Sequence, residues 1–134
     1  LHGIMLDKES NYNLVTGNTV FGNVNGIALA DSHSNLIQNN SLMKNRFGIR
    51  ASIGSSQNSI TGNSIQENER GIFLYDRAKK NILRDNDVSG NDQGVYLKGA
   101  TQNAVIGSLH AGDNTLDIRL DATAQYTNFI QPIQ

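Results

Sequence analysis

The sequence holds no cysteine, no tryptophan and a single proline, Pro132, in 134 residues. Without cysteine there are no disulfides and no thiolate metal sites, a usage that suits an extracytoplasmic setting, whether periplasm, secretion or cell surface. A disordered linker of this polarity usually carries more proline, so the scarcity argues for folded structure. Charge of one sign is lacking too. Eleven Lys and Arg against 12 Asp and Glu leave a net charge of −1, so bulk charge points to neither nucleic acid nor a membrane surface. No apolar run approaches the ~20 residues of a membrane span. His2, His33 and His110 show no H-x-x-x-H spacing, so no metal site and no cofactor is expected. What remains is enough for one domain with a modest core.

What the chain does have is a repeat. A glycine recurs at Gly3, Gly26, Gly48, Gly71 and Gly94. It is followed by Ile4, Ile27, Ile49, Ile72 and Val95, and then by Leu6, Leu29, Ala51, Leu74 and Leu97. Asparagines form three further columns: Asn13, Asn35, Asn58, Asn81 and Asn103; Asn18, Asn40, Asn63 and Asn86, with Ser108 next; and Asn23, Asn45, Asn68 and Asn91. A sixth turn opens in "LDIRL", where Ile118 and Leu120 keep the spacing and Asp117 replaces the glycine. Each copy of 22–23 residues holds three short segments of alternating apolar residues, which read as strands.

Three strands per short repeat specify one coil of a parallel β-helix. The fold expected is all-β: a right-handed, single-stranded solenoid of about six coils beginning near residues 2, 25, 47, 70, 93 and 116. Handedness follows from the right-handed crossover between parallel strands, and the stacking from contacts between neighbouring coils alone. Parity then gives the core. Two inward columns follow the glycine. A third is Val15, Ile37, Ile60, Leu83 and Val105, and a fourth is Val20, Leu42, Ile65 and Val88, ending near Leu109 and His110. The asparagines are expected at tight corners, tolerating unusual backbone angles and bonding from coil to coil through their amides.

Residues 1–120 are read as the coils and 121–134 as a capping segment that breaks the repeat, with Phe129 and Ile130 over the last coil. The chain starts at Leu1 directly within a coil. An uncapped solenoid exposes a strand edge, so further coils before Leu1, or self-association, are expected at that end.

Solenoids act through a face lined by one position of each repeat. The outward residues of the G-I-x-L strand are Met5, Ala28, Arg50, Phe73, Tyr96 and Arg119, then Asp7, Ala30, Ser52, Tyr75, Lys98 and Asp121. Arg50, Phe73, Tyr75, Tyr96, Lys98 and Arg119 thus gather on one sheet as candidate substrate-binding residues. Arginine binds carboxylates in a bidentate way and stacks on aromatics, and aromatic rings stack on sugar rings. The combination suits an anionic polysaccharide along the helix axis. The plainer reading is a cross-strand ladder that only stabilises the sheet. Solvent exposure of the strip favours the first reading; burial beneath the C-terminal segment favours the second. Another outward column, Leu14, Leu36, Ser59, Ile82 and Ala104, is apolar enough to pack against a partner. The stretch "DNDVSG", Asp85 to Gly90, lacks the closing glutamate and flanking helices of a calcium loop. Asn39-Asn40-Ser41 is a lone glycosylation sequon.

With G-I-x-L and N-x-I-x-x-N-x-V-x-x-N in hand, the chain resembles the parallel β-helix repeat superfamily over Leu1 to about Leu120. Within it, "LHGIMLDKESNYNLVTGN" is similar to coils of mannuronan (alginate) C5-epimerases, and the pattern is similar also to the periplasmic NosD-like family. The first resemblance implies inversion at C5 of mannuronate within a polymer, with an Asp-Pro-His-Asp/Glu motif supplying catalytic groups. That motif is absent here, so no catalytic residue is carried over. The second implies an accessory role in copper-site maturation, for which the sequence shows no ligand set. Two functions are therefore expected: the β-helix module of an epimerase- or lyase-type protein that binds an anionic polymer such as alginate, or a non-catalytic structural solenoid.

Overall fold

The computed structural model describes residues 1–106 and 112–130. These contain strands and turns only, with no helix. The first sheet holds β1 (His2–Leu6), β4 (Asn25–Ala30), β7 (Phe47–Ser52), β10 (Arg70–Tyr75), β12 (Gln93–Lys98) and β14 (Leu116–Leu120), one strand per coil in that order. The second holds β2 (Leu14–Thr16), β5 (Leu36–Gln38), β8 (Ser59–Thr61), β11 (Ile82–Arg84), β13 (Ala104–Ile106) and β15 (Asn128–Ile130). The third holds β3 (Thr19–Phe21), β6 (Ser41–Met43) and β9 (Ser64–Gln66), extended by a bridge from Ser64 to Asp87. Every pairing is parallel and joins equivalent positions of successive coils, as in Ile4↔Ile27, Ile27↔Ile49 and Ile72↔Val95. The fold is a parallel β-helix.

The four inward columns form one core, in which Ile27, Leu29, Ile37, Ile60, Leu74 and Leu97 are wholly buried. A fifth inward column, not read from the sequence, follows the first sheet: Ser32, Ser55, Ala78 and Ala100 are buried and Ala124 packs beside them. Small residues fit there because the chain turns sharply, and Ser55 donates its hydroxyl to the carbonyl of Ser52 at 2.7 Å. The proposed ends of two columns, at Ser108 and at Leu109 and His110, lie outside the described residues, as does Pro132.

The asparagines bond as columns. Asn63 is representative. Its Oδ1 accepts from the backbone N and the Nδ2 of Asn40, both at 3.0 Å. Its Nδ2 donates to the carbonyl of Ile37 and to Oδ1 of Asn86, both at 3.0 Å. Both amide protons and both acceptor sites are thereby used within the protein, which is what burial of an amide requires. The third column runs one rung further than expected, since Asn91 N donates to Oδ1 of Asn114 at 2.7 Å.

One expectation is corrected. The ladder asparagines do not adopt the unusual backbone angle; the residue before each of them does. Tyr12, Ser34, Gln57, Lys80 and Gln102 precede the first column, and all have φ between 55° and 60°. Gly17, Asn39, Gly62 and Asp85 precede the second, and Gly22, Lys44, Glu67, Gly90 and Asp113 the third, again all with positive φ. The left-handed residue makes the corner, and the asparagine that follows is aimed inward to bind it. Within the segment after residue 120, β15 pairs in register with β13, which sets Phe129 beside Val105 of the third inward column.

The repeated glycine is explained by close approach and not by φ. A Cβ on Gly48 would lie 2.6 Å from the carbonyl oxygen of Gly71 and 2.7 Å from Cγ2 of Ile65. Glycine and the following isoleucine therefore both face inward, a local break in the two-residue period.

Three outcomes follow for chemical denaturation. Asn63→Ala removes two donors and an acceptor from buried partners and should cost about 3–5 kcal/mol; Asn23→Ala, on the outermost coil, should cost at most about 1.5 kcal/mol. Gly48→Ala, against backbone, should cost about 2–4 kcal/mol, whereas Gly17→Ala, at φ 70° with open space around it, should cost about 1 kcal/mol. Gln57→Gly, at φ 55°, should raise stability by about 0.5–1 kcal/mol through relief of the left-handed angle.

Candidate functional site

The outer face of the first sheet carries three columns, one more than the sequence suggests. The middle one runs Met5, Ala28, Arg50, Phe73, Tyr96, Arg119. On one side stand Ala30, Ser52, Tyr75 and Lys98, with Ala30 opposite Ser52 and Tyr75 opposite Lys98. On the other stand His2, Asn25, Phe47, Arg70, Gln93 and Leu116. This last column lies on the far side of the paired inward residues Gly and Ile, so strict alternation counted outward from Ile does not reach it.

All six predicted residues share the face, and two unpredicted ones, Phe47 and Arg70, complete it. Phe73 stacks on Tyr75 with centroids 4.5 Å apart and rings 4° from parallel, and lies 5.0 Å from Tyr96 and 5.6 Å from Phe47. The Arg70 guanidinium carbon lies 4.8 Å from the Phe73 centroid, 5.2 Å from Tyr96 and 5.5 Å from Phe47. Arg119 lies 4.4 Å from Tyr96, and Arg50 lies 5.8 Å from Tyr75. Lys98 is exposed beside them. Contacts of this kind contribute about 0.5–1 kcal/mol each, and more when desolvated.

The rings are closed over by this arrangement: Phe47, Phe73 and Tyr96 are 8%, 6% and 5% exposed. They are covered by one another and by arginines of the same face. The described part of the C-terminal segment does not cover them, since its strand β15 extends the second sheet. The face thus offers solvent mainly guanidinium and ammonium groups on an aromatic floor. Among the described residues, ion pairs join Lys44 to Glu67, Arg46 to Glu69 and Arg77 to Asp76; none involves Arg50, Arg70, Lys98 or Arg119.

Among the described residues, three buried polar atoms on the same face have no hydrogen-bond partner: Asn25 Oδ1, Arg50 Nε and Gln93 Oε1. Asn25 Nδ2 lies 2.9 Å from Nδ1 of His2. Partial desolvation, then the N-terminal charge and that of Arg50, push the His2 imidazole below its ordinary pKa. The carboxylate of Asp121, where the face meets the turn, accepts from Thr123 Oγ1 at 2.6 Å and from Thr123 N at 3.0 Å, and the Thr123 bonds hold its pKa below the usual range.

Other surfaces are less equipped. A hollow of about 330 Å³ at the first coil is lined by Gly3, Ile4, Asn18, Val20 and Phe21 and presents no charged group. The apolar column of the second sheet is in register as expected, Leu14↔Leu36↔Ser59↔Ile82↔Ala104, but Leu14 alone is largely exposed, at 59%.

Comparison with known proteins places this geometry. No curated protein sequence matches the chain. Among solved structures, a double mutant of the periplasmic alginate epimerase AlgG superposes with a TM-score of 0.81 at 17% identity, covering 99% of this chain and 42% of that one. At that identity the likeness is one of fold, and the chain spans less than half of AlgG. The sequence itself matches the family described as "Periplasmic copper-binding protein (NosD)" over residues 1–126. With nearly the whole sequence matched, and a β-helix beneath it, the chain belongs to the NosD family.

Proposed function

We propose that the chain is an extracytoplasmic β-helix module that binds an anionic polysaccharide along the outer face of its first sheet. The observation that carries this reading is the cationic face itself: Arg50, Arg70, Lys98 and Arg119 stand together with no ion-paired carboxylate among the described residues, on a chain whose net charge is −1. Guanidiniums held over rings lose little side-chain freedom on binding, and their forked donors match carboxylates. The similarity to AlgG, a periplasmic alginate epimerase by its title, makes a polyuronate such as alginate the natural first ligand. Periplasmic location in both comparisons supports the extracytoplasmic setting, as does the lack of cysteine. No catalytic residue is assigned. Tyr75, Tyr96, Lys98 and the arginines share a face, but nothing in their geometry separates a base from an acid.

The alternative is an accessory solenoid in which the aromatic–arginine ladder is purely structural, and the near-complete burial of Phe73 and Tyr96 favours it. The family's description speaks of copper binding. Copper takes imidazole, thiolate and thioether donors. Among the described residues no three His, Cys, Asp or Glu side chains cluster around a common point. His33 is occupied with Ser34 and Tyr12. The described residues therefore do not fit a copper centre, and no step is derived through one.

Binding to immobilised alginate, pectate and a neutral glucan discriminates the readings. The wild type is expected on the acidic polymers and not on the glucan, with affinity falling as salt screens the charges. Arg119→Gln should weaken binding roughly two- to five-fold, with the protein still folded and its thermal melting lowered by no more than the loss of one ring contact. Absence of wild-type binding to every acidic polymer removes the polymer reading and leaves the structural solenoid.

A further inference from the structure

The cations of this face are spaced as well as gathered. On this face four consecutive coils carry one cation each, none of them in an ion pair among the described residues: Arg50 in the third, Arg70 in the fourth, Lys98 in the fifth and Arg119 in the sixth. Arg50 and Arg119 both stand in the middle column. Arg70 is rooted in one flanking column and leans its guanidinium over Phe73 and Tyr96 of the middle one. Lys98 is rooted on the opposite flank, two residues after Tyr96. Through the third to fifth coils no acidic residue occupies any of the three columns. Asp121, in the sixth, is turned to Thr123.

Successive coils are separated by the ordinary strand spacing of about 4.8 Å. This interval is set by backbone hydrogen bonds and by the glycine column, so it does not adjust to a ligand. We propose that the face measures its ligand: it takes a linear polycarboxylate with about one carboxylate per coil, laid parallel to the helix axis, over four consecutive units. The inference rests on the polymer-binding reading above and adds a register and a length to it. A linear polyuronate carries one carboxylate per sugar, so a chain laid along the axis brings a row of carboxylates over the row of cations. Once the first carboxylate is held, each further one binds as an intramolecular step. The aromatic floor makes the ruler stiff: Arg70 touches three rings, and Arg50 and Arg119 one each, so three of the four marks are held before the ligand arrives.

The test is a length series of oligomannuronates, from two to eight units, titrated calorimetrically into the wild type, Arg119→Gln and Arg70→Gln, each checked by circular dichroism to be fully folded at the titration temperature. Affinity should rise roughly two- to five-fold per unit up to four units and then level off. Arg119→Gln, which removes the terminal mark, should level off at three units. Arg70→Gln, which removes an inner mark, should weaken the longer oligomers while leaving the break at four. Affinity that stops growing at two units, or that climbs to eight without a break, overturns the register while leaving polymer binding intact. Failure of every oligomer and of polymeric alginate to bind removes the polymer reading and the register together.

Discussion

The structure depends on one repeated interaction, the side-chain amide that is satisfied by the coil above and the coil below. A parallel β-helix turns three corners per coil, and each corner brings backbone carbonyls and N–H groups out of sheet pairing and into the interior. Water does not reach them. The amide of Asn63 meets four such demands at once, and equivalents at Asn35, Asn40, Asn45, Asn58, Asn68 and Asn81 do the same. Leucine and isoleucine columns supply the driving force for burial, but they do not fix where a coil turns. The ladders do, because an asparagine displaced by one residue leaves its partners unsatisfied.

The left-handed residues and the glycines are consequences of that arrangement. A corner tight enough to place an amide inside needs one residue at positive φ. The chain puts it directly before the asparagine, where glycine, asparagine, aspartate, glutamine and lysine all occur. The side chain at such a position points to solvent, so its chemistry is unconstrained while its backbone is costly. The glycine at the head of the first sheet answers a different demand, the approach of one coil's backbone to the next coil's carbonyl oxygen.

Much of this was legible in the sequence because like positions are stacked at a constant interval. The four large inward columns, the three asparagine columns and the six candidate face residues all follow from spacing and parity. Phe47 and Arg70 did not, since Gly48 and Ile49, and likewise Gly71 and Ile72, both turn inward and interrupt the two-residue period. The fifth inward column was hidden because serine and alanine carry no apolar signal. Asn114 sits at the correct interval from Asn91 but follows a stretch where the apolar pattern is weak, and Phe129 was obscured by the neighbouring proline. The chemistry of the face was legible only as composition. That guanidiniums would end above the rings, with the rings buried, is a matter of side-chain packing that no repeat pattern encodes.

The ladder has a consequence for how the protein ages. Asparagine followed by serine or glycine is prone to spontaneous deamidation, in which the next residue's backbone nitrogen attacks the side-chain carbonyl, and such thermolabile residues are avoided where durability matters. Asn40-Ser41, Asn58-Ser59 and Asn63-Ser64 would be weak points in a mobile chain. Here the attacking nitrogens of Ser41, Ser59 and Ser64 are bonded to the carbonyls of Asn18, Asn35 and Asn40 at 2.8–2.9 Å, and the amides they would attack are clamped between coils. At these three sites the same bonds that hold the coils together therefore keep nucleophile and electrophile apart, and give the ladders a chemical shelf life that their composition alone would deny them.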